Sequence, residues 1–358
     1  MSSEQEMQSD STQPMSTETS NGQAANTILE IEGLKKYFPI EKGLLRRVVG
    51  YVRAVDDVSL SIAEGKTLGL VGESGCGKTT LGRCVVRAIE PTDGSVRMHV
   101  DNQDTELTEL GSRELREYRR NLQMVFQDPY SSLDPRKTVL DIVGEPLRIH
   151  NVARGRELET RVSELLEVVG LDIRYLKRYP HAFSGGQRQR IGIARALALN
   201  PKVIICDEAV SALDVSVPAQ IINLLEELQE EFGIAYLFIA HDLSVVEHIS
   251  DEVAVMYVGK VVEHASTEEL FSNPKHPYTE ALMSAVPLPD PKRKLEEITL
   301  EGEVADPADP PSGCYFHPRC RYAQDRCREE TPELRVVGEG HESACHFAEE
   351  LDLRGVTA

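Results

Sequence analysis

The densest chemistry in the sequence is Gly72-Glu73-Ser74-Gly75-Cys76-Gly77-Lys78-Thr79. Glycines at this spacing let a backbone curl until successive amides converge on an anion, and a lysine follows to meet the outermost charge. Those are the needs of a phosphate-binding loop. An apolar run before it, Thr67-Leu68-Gly69-Leu70-Val71, and a helical stretch after it supply the strand–loop–helix setting that the mechanism requires. Gly72, Ser74, Gly75, Cys76, Gly77, Lys78, Thr79 and Thr80 are expected to surround the phosphates of a nucleotide, with the Thr79 hydroxyl offered to magnesium.

A second apolar run, Val203-Ile204-Ile205-Cys206, ends in Asp207-Glu208. Two carboxylates at the end of a buried strand stand at the sheet edge where open α/β sheets bind ligands. Asp207 is expected to hold magnesium, and Glu208 to orient and deprotonate an attacking water. On its own such a pair is an ordinary solvated strand end; beside a phosphate loop it reads as catalytic. A third segment, Phe183-Ser184-Gly185-Gly186-Gln187, opens a helix whose free amides and dipole favour another phosphate. Two phosphate sites in one chain make sense if each nucleotide lies between two subunits.

The elements that must hold these residues follow from apolar patterning. Buried-strand runs recur at residues 67–71, 122–126, 203–206 and 236–239, and helical patterns fall at 161–169, 187–199 and 219–232. Alternation of this kind predicts an α/β domain with a largely parallel sheet, and residues 131–199 read as a helical subdomain beside it. Residues 1–27 are rich in Ser, Thr, Gln and Glu, lack the basic start and apolar centre of a signal peptide, and read as a disordered tail. After about Pro274 the chain becomes rich in Pro and charge, which predicts an extended connection, and a small Cys-bearing module follows.

In this order the motifs resemble those of ATP-binding-cassette ATPases: a P-loop NTPase cassette with a mixed sheet, a helical signature subdomain and, here, the small C-terminal Cys-bearing module. The resemblance implies that Ser184, Gly185, Gly186 and Gln187 are the signature that contacts ATP held by an opposite subunit. It implies that Gln127, in Met124-Val125-Phe126-Gln127-Asp128-Pro129, senses magnesium and water and faces a membrane subunit. The resemblance also implies that Asp214, in Ser211-Ala212-Leu213-Asp214, belongs to a dimer-contact loop and that His241 is the switch histidine at the γ-phosphate. Tyr37 is expected to stack on adenine, with Phe38 as its competitor. Ala209 departs from the family, in which many relatives carry Pro after the catalytic glutamate.

Tyr179-Pro180-His181-Ala182-Phe183, Asn273-Pro274-Lys275-His276-Pro277-Tyr278-Thr279-Glu280 and Met283-Ser284-Ala285-Val286-Pro287 narrow the resemblance to the ATPase subunits of oligopeptide and dipeptide importers. It extends over nearly everything from Ile28 to Phe347. It implies a cassette over residues 28–273, an importer-type extension over 274–350, two integral-membrane permease subunits, a second identical or paralogous ATPase, and an external solute-binding protein that this chain does not touch. Related nickel and sugar importers have similar ATPases, and a soluble ATPase whose output is set by redox state is a further alternative.

Cys76, Cys84 and Cys206 lie with the nucleotide elements and read as small buried or loop residues. A bulky group on Cys76 is expected to block ATP. Cys314, Cys320, Cys327 and Cys345 group near the carboxyl end. Four thiolates suit an iron–sulfur cluster or a zinc site, and their wide spacings lack the paired C-x-x-C of common zinc modules. The resemblance implies a 4Fe-4S cluster. His317, His341 and His346 are alternative ligands, with solvated loop histidines as the plainer reading.

The 358 residues carry 59 Asp and Glu against 39 Lys and Arg, a formal charge of -20. That balance argues against nucleic acid as a partner and against electrostatic docking on an anionic bilayer. Basic charge carried more by Arg than by Lys, under a large acidic excess, suggests adaptation to concentrated salt. No apolar run approaches the roughly 20 residues that span a bilayer, so a cytoplasmic chain is expected, and the importer resemblance implies a peripheral place on the cytoplasmic face of a membrane.

Overall fold

The computed structural model describes residues 27–43, 46–101, 103–210, 217–285 and 298–356. The expected tail and the dimer-contact loop with Asp214 lie outside the described residues, apart from Thr27, which opens the first strand. In chain order the strands are β1 (Thr27–Lys42), β2 (Arg47–Ala63), β3 (Thr67–Val71), β4 (Asp93–Val100), β5 (Gln103–Glu106), β6 (Leu122–Val125), β7 (Val203–Asp207), β8 (Ala235–Ile239), β9 (Glu252–Tyr257), β10 (Lys260–Ser266), β11 (Arg335–Gly338) and β12 (His341–Ser343). The helices are α1 (Lys78–Val85), α2 (Ser112–Tyr118), α3 (Val139–Ile149), α4 (Gly155–Val168), α5 (Gly185–Leu197), α6 (Val217–Phe232), α7 (Leu243–Ile249), α8 (Thr267–Ser272), α9 (Pro277–Ser284) and α10 (Asp325–Glu329).

Two sheets organise the chain. An antiparallel sheet runs β2-β1-β4-β5, and an eight-stranded sheet runs β11-β12-β10-β9-β3-β8-β7-β6. In the larger one β6, β7, β8, β3 and β9 are parallel, and the β10 and β12 edge is antiparallel. Every residue of β3, β7 and β8 is buried, which explains their unbroken apolar runs: a strand covered on both faces has no polar alternation. One apolar cluster joins one face of that sheet to the packed helices α3, α4 and α5. Another, including Leu29, Ile31, Leu81 and Leu237, joins the opposite face to the antiparallel sheet and α1.

The chain after Pro274 differs from the expected extended connection. Pro277 sits at the start of α9, where its missing N–H costs nothing, and the buried His276 accepts from the Tyr278 amide as the cap. Tyr278 is fully buried, and further on β12 pairs with β10, so the C-terminal segment extends the cassette's own sheet. The Pro-rich residues 286–297 lie outside the described residues.

Candidate functional site

Parallel strands deliver the site residues to one edge. β3 ends at Val71 and enters the phosphate loop, β7 ends at Asp207, β6 leads into Gln127, and β8 leads into His241. Carboxyl ends of parallel strands are where α/β sheets open a ligand crevice.

The loop is tightly held. Gly77 takes φ 113, and a Cβ there would stand 2.0 Å from the Ala54 carbonyl oxygen; a Cβ on Gly72 would stand 2.1 Å from that of Met256. No side chain fits either place. The Gly259 amide donates to the Cys76 carbonyl at 2.8 Å, pinning the loop to the turn between β9 and β10. Lys78 is buried, and its ammonium donates to the Gly72 and Glu73 carbonyl oxygens at 2.7 and 3.0 Å. Ser74 and Gly75 are exposed at the loop's crest. Cys76 is buried, and burial pushes its thiol pKa upward against the pull of Lys78.

Thr79 Oγ1 donates to Asp207 Oδ1 at 2.8 Å. Asp207 Oδ2 is buried without a hydrogen-bond partner, and burial raises the pKa of this carboxyl despite the Thr79 bond. An orphaned buried carboxylate oxygen beside a threonine hydroxyl is an oxygen donor pair of the kind that magnesium takes. Glu208 adopts φ 46, unusual outside glycine, and its amide donates to Ile239 O at 2.9 Å. Its Oε2 accepts from Gln127 Nε2 at 2.7 Å and lies 3.4 Å from His241 Nδ1. Strands β6, β7 and β8 thus gather Gln127, Glu208 and His241 around one carboxylate oxygen.

Ser184 caps α5: its hydroxyl accepts from the Gln187 amide at 3.4 Å, and the Gln187 side chain accepts from the Ser184 amide at 3.2 Å. A Cβ on Gly186 would stand 2.5 Å from Val217 Cγ1 at the start of α6, so the Val217 side chain would have to turn away to admit one. Tyr37 is half-buried and its hydroxyl donates to Asp56, whose amide donates to Gly259 O at 2.8 Å. The adjacent Phe38 points outward, with Lys36 over its ring at 5.1 Å.

Cys314, Cys320, Cys327 and Cys345 line one small cavity with His317 and His346, and all are free thiols. Burial first, then mutual charge, pushes Cys314 and Cys320 up to about 11 and Cys345 up to about 12. No group of three or more His, Cys, Asp or Glu among the described residues is set to hold a metal ion. His317 Nδ1 faces the Cys314 carbonyl at 2.9 Å, and His346 Nε2 faces that of Glu330 at 2.9 Å. His341 corrects the reading of a solvated loop histidine: it is buried, with Nε2 2.8 Å from the buried Glu263 carboxylate.

Sequence reasoning assigned no role to Tyr278 and Arg319. The Tyr278 hydroxyl accepts from the Glu73 amide at 2.8 Å, and Arg319 donates to both Glu73 carboxylate oxygens at 2.6 and 3.0 Å. The signal was present in the His276-Pro277-Tyr278 run, but a contact across 205 or 246 residues has no local signature.

This fold and site define a P-loop nucleoside triphosphatase. The ABC transporter family matches residues 55–211, and the oligopeptide/dipeptide transporter C-terminal region matches residues 262–327. The oligopeptide transport ATP-binding protein AppF of Bacillus subtilis is 55% identical over 329 residues, covering 90% of this chain and 99% of its own. The dipeptide transport ATP-binding protein DppF of Haemophilus influenzae is 50% identical, covering 89% and 96%. A cassette dimer solved in a post-hydrolysis state with ADP and Pi is 30% identical with a TM-score of 0.57, covering 67% of this chain and 99% of its own. The chain belongs to the ATP-binding-cassette transporter family, and it is an ATPase. Among the described residues no helix is long and apolar enough to cross a membrane.

Proposed function

We propose that this chain is the ATP-hydrolysing subunit of a peptide importer, working as a dimer beneath two permease subunits on the cytoplasmic face of a membrane. The observation that carries hydrolysis is the gathering of Gln127 and His241 on the Glu208 carboxylate, next to Asp207 and Thr79. Peptide as cargo is supported by the C-terminal family match and by relatives named for oligopeptide and dipeptide transport. Nothing comparable favours nickel, sugar or a redox-regulated soluble ATPase. Exposed Phe126 and Tyr130, flanking Gln127 and Asp128, offer an apolar landing for a permease.

In this reading the loop amides and Lys78 bind the phosphates, and Tyr37 stacks on the base with its hydroxyl fixed by Asp56. Tyr37 is favoured over Phe38 because Asp56 and Gly259 link it to the Cys76 end of the loop. Thr79 and Asp207 hold magnesium, which neutralises phosphate charge when bound. Glu208 takes the proton of the attacking water, Gln127 and His241 fix that water and the γ-phosphate, and Ser184, Gly185, Gly186 and Gln187 close over ATP on the partner. Asp214 completes the dimer contact. A solute-binding protein delivers peptide from outside.

The four cysteines are proposed to hold a 4Fe-4S cluster. Support comes from their shared cavity and their unpaired thiols; a cluster spreads its thiolates further apart than a single ion does. The raised pKa values of Cys314, Cys320 and Cys345 mean that loading must displace protons. The charge of -20 supports a chain suited to concentrated salt. The test is reconstitution of the chain with its permeases and binding protein in proteoliposomes. ATP-dependent uptake of labelled peptide is expected, and uptake of nickel or sugar in its place would overturn the assignment.

A further inference from the structure

Glu73 is an acidic residue inside a loop whose task is to bind a polyanion, and every polar group it owns is tied down. Its amide donates to the Tyr278 hydroxyl, its carbonyl accepts from Lys78, and its carboxylate receives both arms of the Arg319 guanidinium. The Arg319 side chain is 7% exposed and that of Glu73 27%, so little water screens the pair. A bidentate guanidinium–carboxylate pair fixes direction as well as distance.

Arg319 is itself held from the Cys-bearing module. Its amide donates to Phe316 O at 3.0 Å, and the next residue, Cys320, lines the four-cysteine cavity. Phe316 is buried against Tyr257 and Tyr278, with ring centroids 5.3 Å apart in both pairs, and the Arg319 guanidinium lies 6.0 Å from the Tyr257 ring. Among the described residues, the module's hydrogen-bonded reach to the phosphate loop is the Arg319 side chain on Glu73. Without it, the Glu73 carboxylate would be unpaired and free to swing toward the incoming phosphates, opposing them by charge.

We infer that Arg319 is a positioning residue for nucleotide binding: it neutralises and fixes Glu73, so that the C-terminal module sets the affinity of the phosphate loop for ATP. This rests on the reading that the loop binds ATP, and the test separates the two. Affinity for a fluorescent ATP analogue and the KM and kcat of hydrolysis are measured on the full chain for wild type, Arg319→Gln, Arg319→Lys, Glu73→Gln, the Arg319→Gln/Glu73→Gln pair, and Lys78→Ala.

Arg319→Gln is expected to weaken binding and raise KM roughly tenfold, about what one lost charge-assisted hydrogen bond is worth, with kcat nearly unchanged. Arg319→Lys, which keeps the charge but loses the fork, falls between. The paired variant is expected to bind better than Arg319→Gln, because the unmatched carboxylate is gone. A merely structural arginine would instead lower kcat through a smaller folded fraction and leave the affinity of the remainder alone. Wild-type affinity in Arg319→Gln, or additive losses in the pair, overturns the inference; if Arg319→Gln fails to fold, wild-type affinity in Arg319→Lys does so. Undiminished binding by Lys78→Ala would overturn the ATP-site reading itself.

Discussion

Gly75 and Gly77 separate two costs that are usually confounded. Both take positive φ, 83 and 113. A Cβ on Gly75 meets nothing within 4 Å, whereas one on Gly77 would lie 2.0 Å from the Ala54 carbonyl oxygen in β2 and 2.9 Å from Met256 Cε. Gly75→Ala therefore suffers backbone strain alone, about 1–3 kcal/mol. Gly77→Ala suffers that strain and must also displace β2 by more than an ångström, since ordinary contact begins at 3.4 Å. Arg53 and Val55, on either side of Ala54, pair with Tyr37 and Lys36 of β1, so moving the Ala54 carbonyl disturbs that ladder. The added cost is of the order of an overpacked core, roughly 1–3 kcal/mol more. Thermal unfolding of the nucleotide-free variants reads this difference before any ligand complicates it. Gly75→Ala is expected to melt slightly below wild type and Gly77→Ala several degrees lower. ATP hydrolysis should fall on the order of a hundredfold in Gly77→Ala, because a loop displaced by an ångström misaligns the phosphates it holds. Equal melting temperatures for the two variants would refute the claim that packing against Ala54 holds the loop.

Cys76 is buried with a raised thiol pKa, so alkylation at neutral pH should be much slower than for an exposed cysteine, and the labelled protein should no longer bind ATP. Mass-spectrometric labelling against time, followed by nucleotide binding, checks both halves; rapid labelling would mean that the loop opens freely. His264 on β10 lies between Glu252 on β9 and Glu342 on β12, at 3.4 and 3.5 Å. Burial alone would lower its pKa, but the two carboxylates outweigh it and raise it from 6.5 to about 9. The folded chain therefore holds a proton that the unfolded chain releases. The stabilisation is fully present below pH 6.5 and is lost as pH rises through 9, an effect on the order of 3 kcal/mol. Chemical denaturation from pH 6 to 10 should show that decline, and His264→Gln should flatten it.

The candidate catalytic residues were legible because each lies at or just beyond the end of a short apolar strand, and strand ends carry their own local pattern. The phosphate loop, Asp207 and Glu208 have that character; the Ser184 cap and the helices of residues 131–199 were legible from a helix start and from helical apolar periodicity instead. What escaped was set by distant pairing. The β11–β12 hairpin joins the cassette sheet through β10, and no alternation in a strand as short as His341–Ser343 announces it. The helix Pro277–Ser284 hid in a Pro-rich stretch because proline at a first helical turn resembles proline in a linker. His341 looked like a loop histidine until Glu263, 78 residues away, gave it a buried partner. Arg319 and Glu73 are a like case: their charges are visible in sequence, and their pairing is a property of the fold.

The central claim is that Glu208 is the base on which Gln127 and His241 converge. The most direct measurement is single-turnover hydrolysis and dimerisation of Glu208→Gln with ATP and magnesium. The variant should bind ATP with near-normal affinity, hydrolyse it at least about a hundredfold more slowly, as loss of a general base entails, and accumulate as an ATP-bound dimer by light scattering. Hydrolysis at the wild-type rate, with no trapped dimer, would contradict the assignment.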